Sequence, residues 1–478
     1  MESGGRALEK STNVKAVRAG FGYTIGNILS KGLSFLTMPL FGRLLSVEDY
    51  GRYNVYTAYT SVLFVVAGLA VHVSIKNANI DYKEKLKEYN SSLSLIIVLN
   101  SLLLWVFAFL FGKPMTEAGI IEFDWFFILV VFESFCMAMI TFYNHVLSVS
   151  YLHKEYVITS LIYAALGIIL SVVFIETVFS DERFLGRVFG MLVAGAIFVI
   201  FIGVRLYKSA RPRVNKEFWK YGLKISLPVV PHGISQMVLS MSDRLMIKHY
   251  YGDREAGIYG FANNLGTILQ VITTAMDTAW SQWFFDKLSS GDKQSIRKAG
   301  SIYAFLVSGG VILLMSIAPE TIVFMGGEKY REGCILTFPI LVAVYFSFMY
   351  FFPSAIEFYH KKTMLIAIGT VSVAALNVVL NLWFIPKAGY EAAAYTTRAC
   401  YVIYYFIHVI FAYHVQKEFL FNMKIHITCV TVVSLFGTLF VLTQGVWFVR
   451  FPILILGIAI GIVIGIKNKE VIRKLIKK

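Results

Sequence analysis

Apolar runs of about 20 residues recur along the whole chain, and this feature most constrains what the chain can fold into. A helix needs about 20 apolar residues to cross the hydrocarbon core of a bilayer. The 478 residues are 57% hydrophobic and 15% charged, whereas soluble domains are about 45–50% apolar and about 25% charged. We therefore predict an all-α polytopic membrane protein. A soluble enzyme, a single-anchor protein and an outer-membrane barrel are excluded.

Fourteen runs are long enough to be transmembrane helices, and only short loops separate them. The seventh and eighth are the most polar. The runs cover residues 17–42, 53–75, 90–112, 123–147, 157–178, 185–204, 222–247, 256–282, 298–318, 334–357, 364–385, 391–414, 425–444 and 449–466.

Basic residues are concentrated on one of the two sides of the membrane that these spans define. Of the 44 Lys and Arg residues, 30 lie in segments that are cytoplasmic if the N-terminus is cytoplasmic, and 11, including Arg187, belong to outside loops. This bias follows the positive-inside rule and predicts that both termini are cytoplasmic. The net charge of +15 is therefore mainly a topology signal, and we expect no nucleic-acid partner.

A weak internal repeat indicates how the spans are organised. An Arg-Leu-hydrophobic step followed by Gly-x-Tyr occurs at 43–53 and again at 244–259, six spans later. An even offset preserves orientation, which predicts parallel repeats of the kind found in transporters. The predicted domains are an N-terminal six-helix bundle (1–206), a cytoplasmic basic linker (207–221), a C-terminal six-helix bundle (222–415) and two extra transmembrane helices with a basic tail (416–478).

Three cations remain within the predicted spans, namely Lys31, Arg244 and Arg398. Ionisable groups at membrane depth are costly and usually face a cavity or a partner. A cavity lined by these three residues suits an anionic group, most naturally a phosphate. We therefore predict that they bind the substrate.

Four carboxylates within or beside the spans have two interpretations, which the sequence alone leaves open. They can form a proton or sodium coupling site, or they can neutralise the cations. These residues are Glu133, Asp243, Asp277 and Glu357. The four cysteines show no paired spacing, so no metal site or disulfide framework follows. We expect no cofactor apart from a coupling proton or sodium ion.

Prolines and glycines within the spans predict bends and close helix packing. Pro39 in the first span and Pro228 and Pro231 in the seventh are candidate hinges for alternating access, or static kinks. Gly186 and Gly190 are four residues apart and therefore allow another helix to approach closely.

Four segments carry a family resemblance. They are LTMPLFGRLLSVEDYGRYNVY, ISLPVVPHGISQMVLSMSDRLMIKHYYG, AGIYGFANNLG and AGYEAAAYTTRACY. The chain resembles the polysaccharide-transporter branch of the multidrug/oligosaccharidyl-lipid/polysaccharide exporter superfamily, the bacterial O-antigen and capsule repeat-unit flippases.

The resemblance implies a function, a location and partners. A flippase of this family moves a polyprenyl-diphosphate-linked oligosaccharide from the inner to the outer leaflet of the bacterial cytoplasmic membrane by alternating access. It is not an enzyme, and its partners are the lipid-linked oligosaccharide, the bilayer, and glycan polymerase and assembly machinery.

Three alternatives remain at this point. A multidrug or cation exporter of the same superfamily should have an acidic cavity, but the first span carries Lys31 and no acid. A peptidoglycan-precursor flippase would need nearly the same chemistry. A polysaccharide polymerase or ligase should carry a long outer loop, and no predicted outer loop is long.

Overall fold

The computed structural model describes residue 32 and residues 37–117 and 125–467. Within these ranges the chain is built of helices joined by short turns and contains no β-strand. The predicted all-α fold class is confirmed. The described chain forms two compact units, of which unit 1 contains Leu44–His249 and unit 2 contains Met38–Arg43 and the chain from Tyr250 onward.

The segment Leu44–His249 of unit 1 starts with two helices that are separated by a short break. It ends with a short helix that leads into a long one. Its helices are α2 (Val47–Gly68), α3 (Ile75–Asp81), α4 (Leu86–Glu117), α5 (Trp125–Val149), α6 (His153–Thr177), α7 (Arg183–Ser209), α8 (Lys216–Ser226) and α9 (Val230–Tyr251), the last two residues of α9 belonging to unit 2.

Unit 2 includes the short helical segment α1 (37–44), of which residues 38–43 belong to it. Its other helices are α10 (Asp253–Ser289), α11 (Lys293–Gly326), α12 (Thr337–Met349), α13 (Phe351–Tyr359), α14 (Thr363–Ala388), α15 (Ala392–Gln416), α16 (Met423–Leu442) and α17 (Trp447–Lys467).

The helices agree with most of the predicted spans. Nine described helices are long and apolar enough to cross a membrane, or ten if the bent pair α2–α3 is one span. Helices α9 and α10 occupy the seventh and eighth predicted spans, the most polar ones, and neither is among the nine. The first predicted span lies mostly outside the described residues. The total of fourteen therefore stays a prediction, as do the four predicted domains. Helix α8 and all but the last two residues of α9 fall within unit 1.

The second predicted span is broken, which the sequence did not indicate. Leu69 and Ala70 adopt left-handed backbone conformations with φ of 45° and 49°, and α2 and α3 meet at 49°. Such a conformation costs a residue other than glycine about 1–2 kcal/mol. The Asn100 amide stabilises the break because it donates to the carbonyls of Val66 and Ala67 at 2.8 and 3.0 Å.

Helices α6 and α7 pack closely through the two glycines that the sequence pointed to. A Cβ added at Gly186 would lie 2.9 Å from the Ile175 Cα, and one added at Gly190 would overlap the backbone of Ser171. The predicted close packing at Gly186 and Gly190 is confirmed.

We expect Gly190→Ala to destabilise unit 1 because the added methyl group collides with the backbone of α6. Overpacking of this kind costs about 1–3 kcal/mol. The matched control is Gly203→Ala on the same helix, where the nearest atom to an added Cβ is 3.8 Å away, on Tyr207. Thermal unfolding of the purified variants should show a lower melting temperature for Gly190→Ala alone. Equal melting temperatures would contradict the packing account.

A buried arginine fastens α17 to unit 2. Arg450 is 2% exposed, and its guanidinium makes two 2.7 Å hydrogen bonds to the Glu320 carboxylate on α11. It also donates to the carbonyls of Ser316 and Gly445, each at 2.5 Å. Because paired, fork-shaped contacts are strong and directional, the C-terminal helix is held in one register against α11.

Candidate functional site

Unit 1 contains an open cavity of about 480 Å³ lined by residues of α2, α5, α6 and α7 and by Thr37 of α1. This volume is within the range of about 300–1,000 Å³ that is typical of ligand sites. Its polar lining consists of hydroxyl and amide side chains in addition to two charged groups. The hydroxyl and amide residues are Thr37, Tyr53, Thr57, Thr60, Ser61, Thr141, Tyr143, Asn144, Tyr156, Thr159, Ser160 and Tyr163.

Glu133 supplies the carboxylate of this cavity. It lies on α5 and is 5% exposed. The Tyr56 hydroxyl on α2 donates to its Oε2 at 2.5 Å, and the same hydroxyl lies 3.3 Å from the Leu129 carbonyl. Since an isolated carboxylate is costly at this depth, the tyrosine offsets part of that cost without supplying a countercharge.

Arg187 supplies the cation of the cavity, and sequence reasoning missed it. It was counted with an outside loop because the sixth predicted span begins only two residues earlier. In the structure α7 begins at Arg183, and Arg187 lies in its second turn. The guanidinium carbon is 5.1 Å from the Tyr53 ring centroid, and Nη1 donates to the Ser171 hydroxyl at 3.1 Å.

A signal for Arg187 was nevertheless present in the sequence. It directly follows Gly186 and precedes Gly190 by three residues. These glycines mark the α7 face that packs on α6, so an arginine between them lies near the inside of the bundle rather than in a loop.

The polar lining extends along the bundle. On α5 the lining residues, which also include Met137 and Ile140, run from Glu133 to Asn144. This is about 16 Å at 1.5 Å per residue and about half of a 30 Å hydrocarbon core. A carboxylate, a guanidinium and many hydroxyl groups can together bind a small polar ligand or exchange a proton or cation at Glu133.

Arg244, the predicted cation of unit 1 that the structure describes, does not line this cavity. Asp243 and Arg244 are both on α9 and are 3% and 5% exposed, and the Arg244 guanidinium contacts the Met241 sulfur. Lys31 lies outside the described residues. The substrate-binding role of Lys31 and Arg244 therefore stays a prediction.

The predicted residues of unit 2 have local partners. Arg398 on α15 is half-buried and donates to the Thr438 hydroxyl on α16 at 3.1 Å. Asp277 on α10 accepts from the Ser281 hydroxyl at 3.2 Å. Their predicted roles, in substrate binding for Arg398 and in coupling or charge balance for Asp277, stay predictions.

Glu357 and His408 form a fully buried pair in unit 2. Both side chains are 0% exposed, and the His408 Nδ1 lies 2.8 and 3.0 Å from the two carboxylate oxygens of Glu357. The pair gives Glu357 a partner within its own unit. Across the described residues, no group of three or more His, Cys, Asp or Glu side chains could hold a metal ion.

The predicted hinge prolines lie at helix junctions or in a short helix. Pro228 is in the 3-10 turn Leu227–Val229, and Pro231 is in the first turn of α9. The helix is therefore interrupted where α8 passes into α9. Pro39 lies in the short α1 segment. Their action as hinges stays a prediction.

Comparison with solved structures shows which known proteins share this fold. The chain is similar to the lipid II flippase MurJ in an inward closed conformation, with a TM-score of 0.69 and 16% identity over 94% of this chain and 99% of that one. It is also similar to a multidrug resistance MATE transporter in an inward-facing conformation, with a TM-score of 0.63 and 12% identity over 83% and 99%. These likenesses show that the chain has the all-helical fold of these two solved transporters.

Sequence comparison defines the family within this class. Residues 16–285, more than half of the chain, match the model of the family described as "Polysaccharide biosynthesis protein". The chain therefore belongs to this family, and the resemblance found in the sequence is confirmed.

Two relatives of this chain show the kind of protein to which its sequence is similar. One is "Lsg locus putative protein 1" of Haemophilus influenzae, 22% identical over 77% of this chain and 92% of the relative. The other is "Capsular polysaccharide biosynthesis protein CapF" of Staphylococcus aureus, 24% identical over 65% of this chain and 78% of the relative.

Proposed function

We propose that the protein is a flippase that moves a polyprenyl-diphosphate-linked oligosaccharide, an O-antigen or capsule repeat unit, from the inner to the outer leaflet of the bacterial cytoplasmic membrane. The observation that carries this proposal is the match to a polysaccharide biosynthesis family on a chain with a transporter fold. A membrane-embedded transporter in such a pathway needs a cargo that is made on one side and used on the other, and a lipid-linked sugar meets that description.

The membrane potential favours this direction of transport. A diphosphate carries at least two negative charges, and moving two such charges outward gains about 4.6 kcal/mol per 100 mV when the inside is negative. Lys31 and Arg244 are proposed to bind the diphosphate, because cations at membrane depth compensate its charge while the lipid tail stays in the bilayer.

Glu133 is proposed as the site where an ion gradient couples to transport by alternating access. Its carboxylate lies in the polar cavity of unit 1 and contacts a neutral hydroxyl, Tyr56. It can gain or lose a proton, or bind sodium, in a cavity whose cation, Arg187, also acts on it electrostatically. Inward movement of that ion would add to the potential that drives the lipid-linked sugar outward.

This proposal makes the protein a transporter that neither makes nor breaks covalent bonds and needs no cofactor. Both termini would lie in the cytoplasm. Because the delivered oligosaccharide must be polymerised or assembled outside, glycan polymerase and assembly machinery are the proposed partners.

Deletion of the gene in its own host tests the proposed function. We expect surface glycan to disappear and the lipid-linked repeat unit to accumulate in the cytoplasmic leaflet, because synthesis continues while transfer stops. Glycan immunoblots and mass spectrometry of extracted lipids measure both quantities. Loss of glycan without accumulation of the lipid-linked unit would point to an earlier step and would contradict the proposal.

Structural similarity to the lipid II flippase supports one second candidate, a peptidoglycan-precursor flippase. Two genetic results distinguish the candidates. If this chain restores growth to cells depleted of their own peptidoglycan-precursor flippase, and its deletion leaves surface glycan intact, the second candidate replaces the first.

A further inference from the structure

Helix α8 carries two opposite stripes of side chains. Its buried residues are Phe218, Gly222 and Ser226, four residues apart. Lys216, Lys220 and Lys224 are exposed and also four apart, each two residues from a buried position. At 100° per residue, the lysine stripe lies about 200° from the buried one, and it therefore points away from unit 1.

The buried stripe holds α8 firmly against unit 1. The Phe218 ring packs against Tyr82 and Tyr89 with centroids 5.1 and 5.4 Å apart. A Cβ at Gly222 would lie 3.0 Å from the Tyr89 hydroxyl, which shows how closely the helix approaches α4. The Trp219 indole donates to the Ser92 carbonyl at 2.9 Å.

Hydrogen bonds also fix the start and the sides of α8. Asn215 caps its N-terminus by accepting from the backbone amides of Glu217 and Phe218 at 2.9 and 3.2 Å. The Tyr221 hydroxyl donates to Asp81 at 2.5 Å, and the Tyr82 hydroxyl donates to Glu217 at 2.9 Å. The lysine stripe is therefore presented by a rigid platform.

Further cations belong to the same cytoplasmic segments of unit 1. Lys83, Lys85 and Lys87 are exposed where α4 begins, and Arg211 and Arg213 are exposed just before α8. The acidic residues of these segments are fewer. Asp81 and Glu217 accept the tyrosine hydrogen bonds, and Glu84 and Glu88 are exposed.

The position of α8 in the chain decides which partner fits this surface. Only residues 210–215 separate α8 from α7, a membrane-spanning helix, and only the turn Leu227–Val229 separates it from α9. The segment is thus tethered close to the membrane at its α7 end and continues directly into α9. Val214 and Leu227, which flank α8, are 60% and 47% exposed, as expected for side chains that contact lipid rather than water.

We propose that the lysine stripe of α8 is a docking surface for the phosphate headgroups of anionic phospholipids in the cytoplasmic leaflet. The positive-inside pattern places these lysines on that side, where anionic lipids attract basic residues. This inference is independent of the cargo proposed above, because it needs no substrate. A soluble acidic protein fits less well, since a helix tethered so close to the bilayer and flanked by exposed apolar residues presents its outer face mainly to headgroups.

Native mass spectrometry of the purified full chain, titrated with phosphatidylglycerol and separately with phosphatidylcholine, tests this proposal. The test variant is the triple Lys216→Gln, Lys220→Gln, Lys224→Gln. Its phosphatidylglycerol binding should weaken roughly 100-fold, since each lysine contributes about fivefold. Phosphatidylcholine binding should stay unchanged, and added salt should weaken the parent's preference for phosphatidylglycerol.

Two further variants keep the test decisive. The matched control removes three exposed lysines of unit 2 from the same predicted side, Lys298→Gln, Lys362→Gln and Lys424→Gln, and should bind phosphatidylglycerol like the parent. Replacing the three α8 lysines by arginine should restore binding, which separates loss of charge from loss of folding. The proposal fails if the α8 triple binds like the parent, if the control loses binding equally, or if only a lipid-linked diphosphate, and not phosphatidylglycerol, loses affinity.

Discussion

Neutralising Lys31 and Arg244 together should abolish export of the surface glycan while the protein stays folded and inserted. If both cations contact the diphosphate, the Lys31→Ala, Arg244→Ala double variant loses two charge-assisted contacts. Truncating one partner of a buried charge pair costs about 2–5 kcal/mol, so each change should weaken substrate binding by roughly thirtyfold or more. Surface glycan on cells that carry only the variant gene measures the outcome.

Charge-preserving changes distinguish binding from folding in this experiment. Arg244 is 5% exposed, so its replacement by alanine also leaves space within unit 1. Lys31→Arg and Arg244→Lys keep the positive charge and should retain partial export. Full export by the double alanine variant would overturn the cationic-site proposal. If the double alanine variant loses both export and its place in the membrane, the loss of export is due to misfolding. The single charge-preserving variants then decide whether the positive charges are needed for export.

Replacing Glu133 by glutamine should uncouple transport from the ion gradient. Glutamine keeps an acceptor for the Tyr56 hydroxyl, which now donates to Glu133 at 2.5 Å, but it cannot carry a negative charge. One proton moving inward contributes about 2.3 kcal/mol per 100 mV, which is a roughly 50-fold concentration ratio. The Glu133→Gln variant should lose up to this factor in the outward accumulation of substrate that an imposed gradient drives.

A matched acidic residue provides the control for Glu133. Glu155 lies on α6 of the same unit, and its half-exposed side chain is 3.8 Å from Arg205. Exposed pairs of this kind contribute little, so Glu155→Gln should transport like the parent. Proteoliposomes with and without a proton or sodium gradient measure the dependence. A Glu133→Gln protein that still responds fully to the gradient would exclude Glu133 as the coupling site.

The sequence predicted those parts of the fold that depend on the free-energy cost of placing polar backbone groups and charges in lipid. That cost requires long apolar helices and separates the charged loops, so the spans and the fold class are readable without knowing any contact. It also explains why α9 and α10 were hard to assign. Contacts within the folded protein compensate the cost of burying their polar residues. A hydropathy pattern carries no information about such contacts.

The features that the sequence missed depend on tertiary contacts. The break follows Gly68, but the two residues in the left-handed conformation, Leu69 and Ala70, are not glycines. The carbonyls that the break frees are bonded by Asn100, more than 30 residues away. Arg187 was misplaced because a span boundary is uncertain by a few residues, whereas the cavity depends on which helix face it occupies. Glu133 was identified as an intramembrane carboxylate, but its polar surroundings come from four helices.

Reconstituted flipping of a labelled lipid-linked oligosaccharide tests the central proposal most directly. Purified protein is placed in liposomes that contain a fluorescent polyprenyl-diphosphate oligosaccharide in both leaflets, and a glycosidase that cannot cross the bilayer is added outside. We expect the enzyme to reach the entire pool in proteoliposomes but only the outer-leaflet pool in protein-free liposomes. If the inner-leaflet pool stays protected in the presence of folded protein, the chain is not a flippase for this class of lipid.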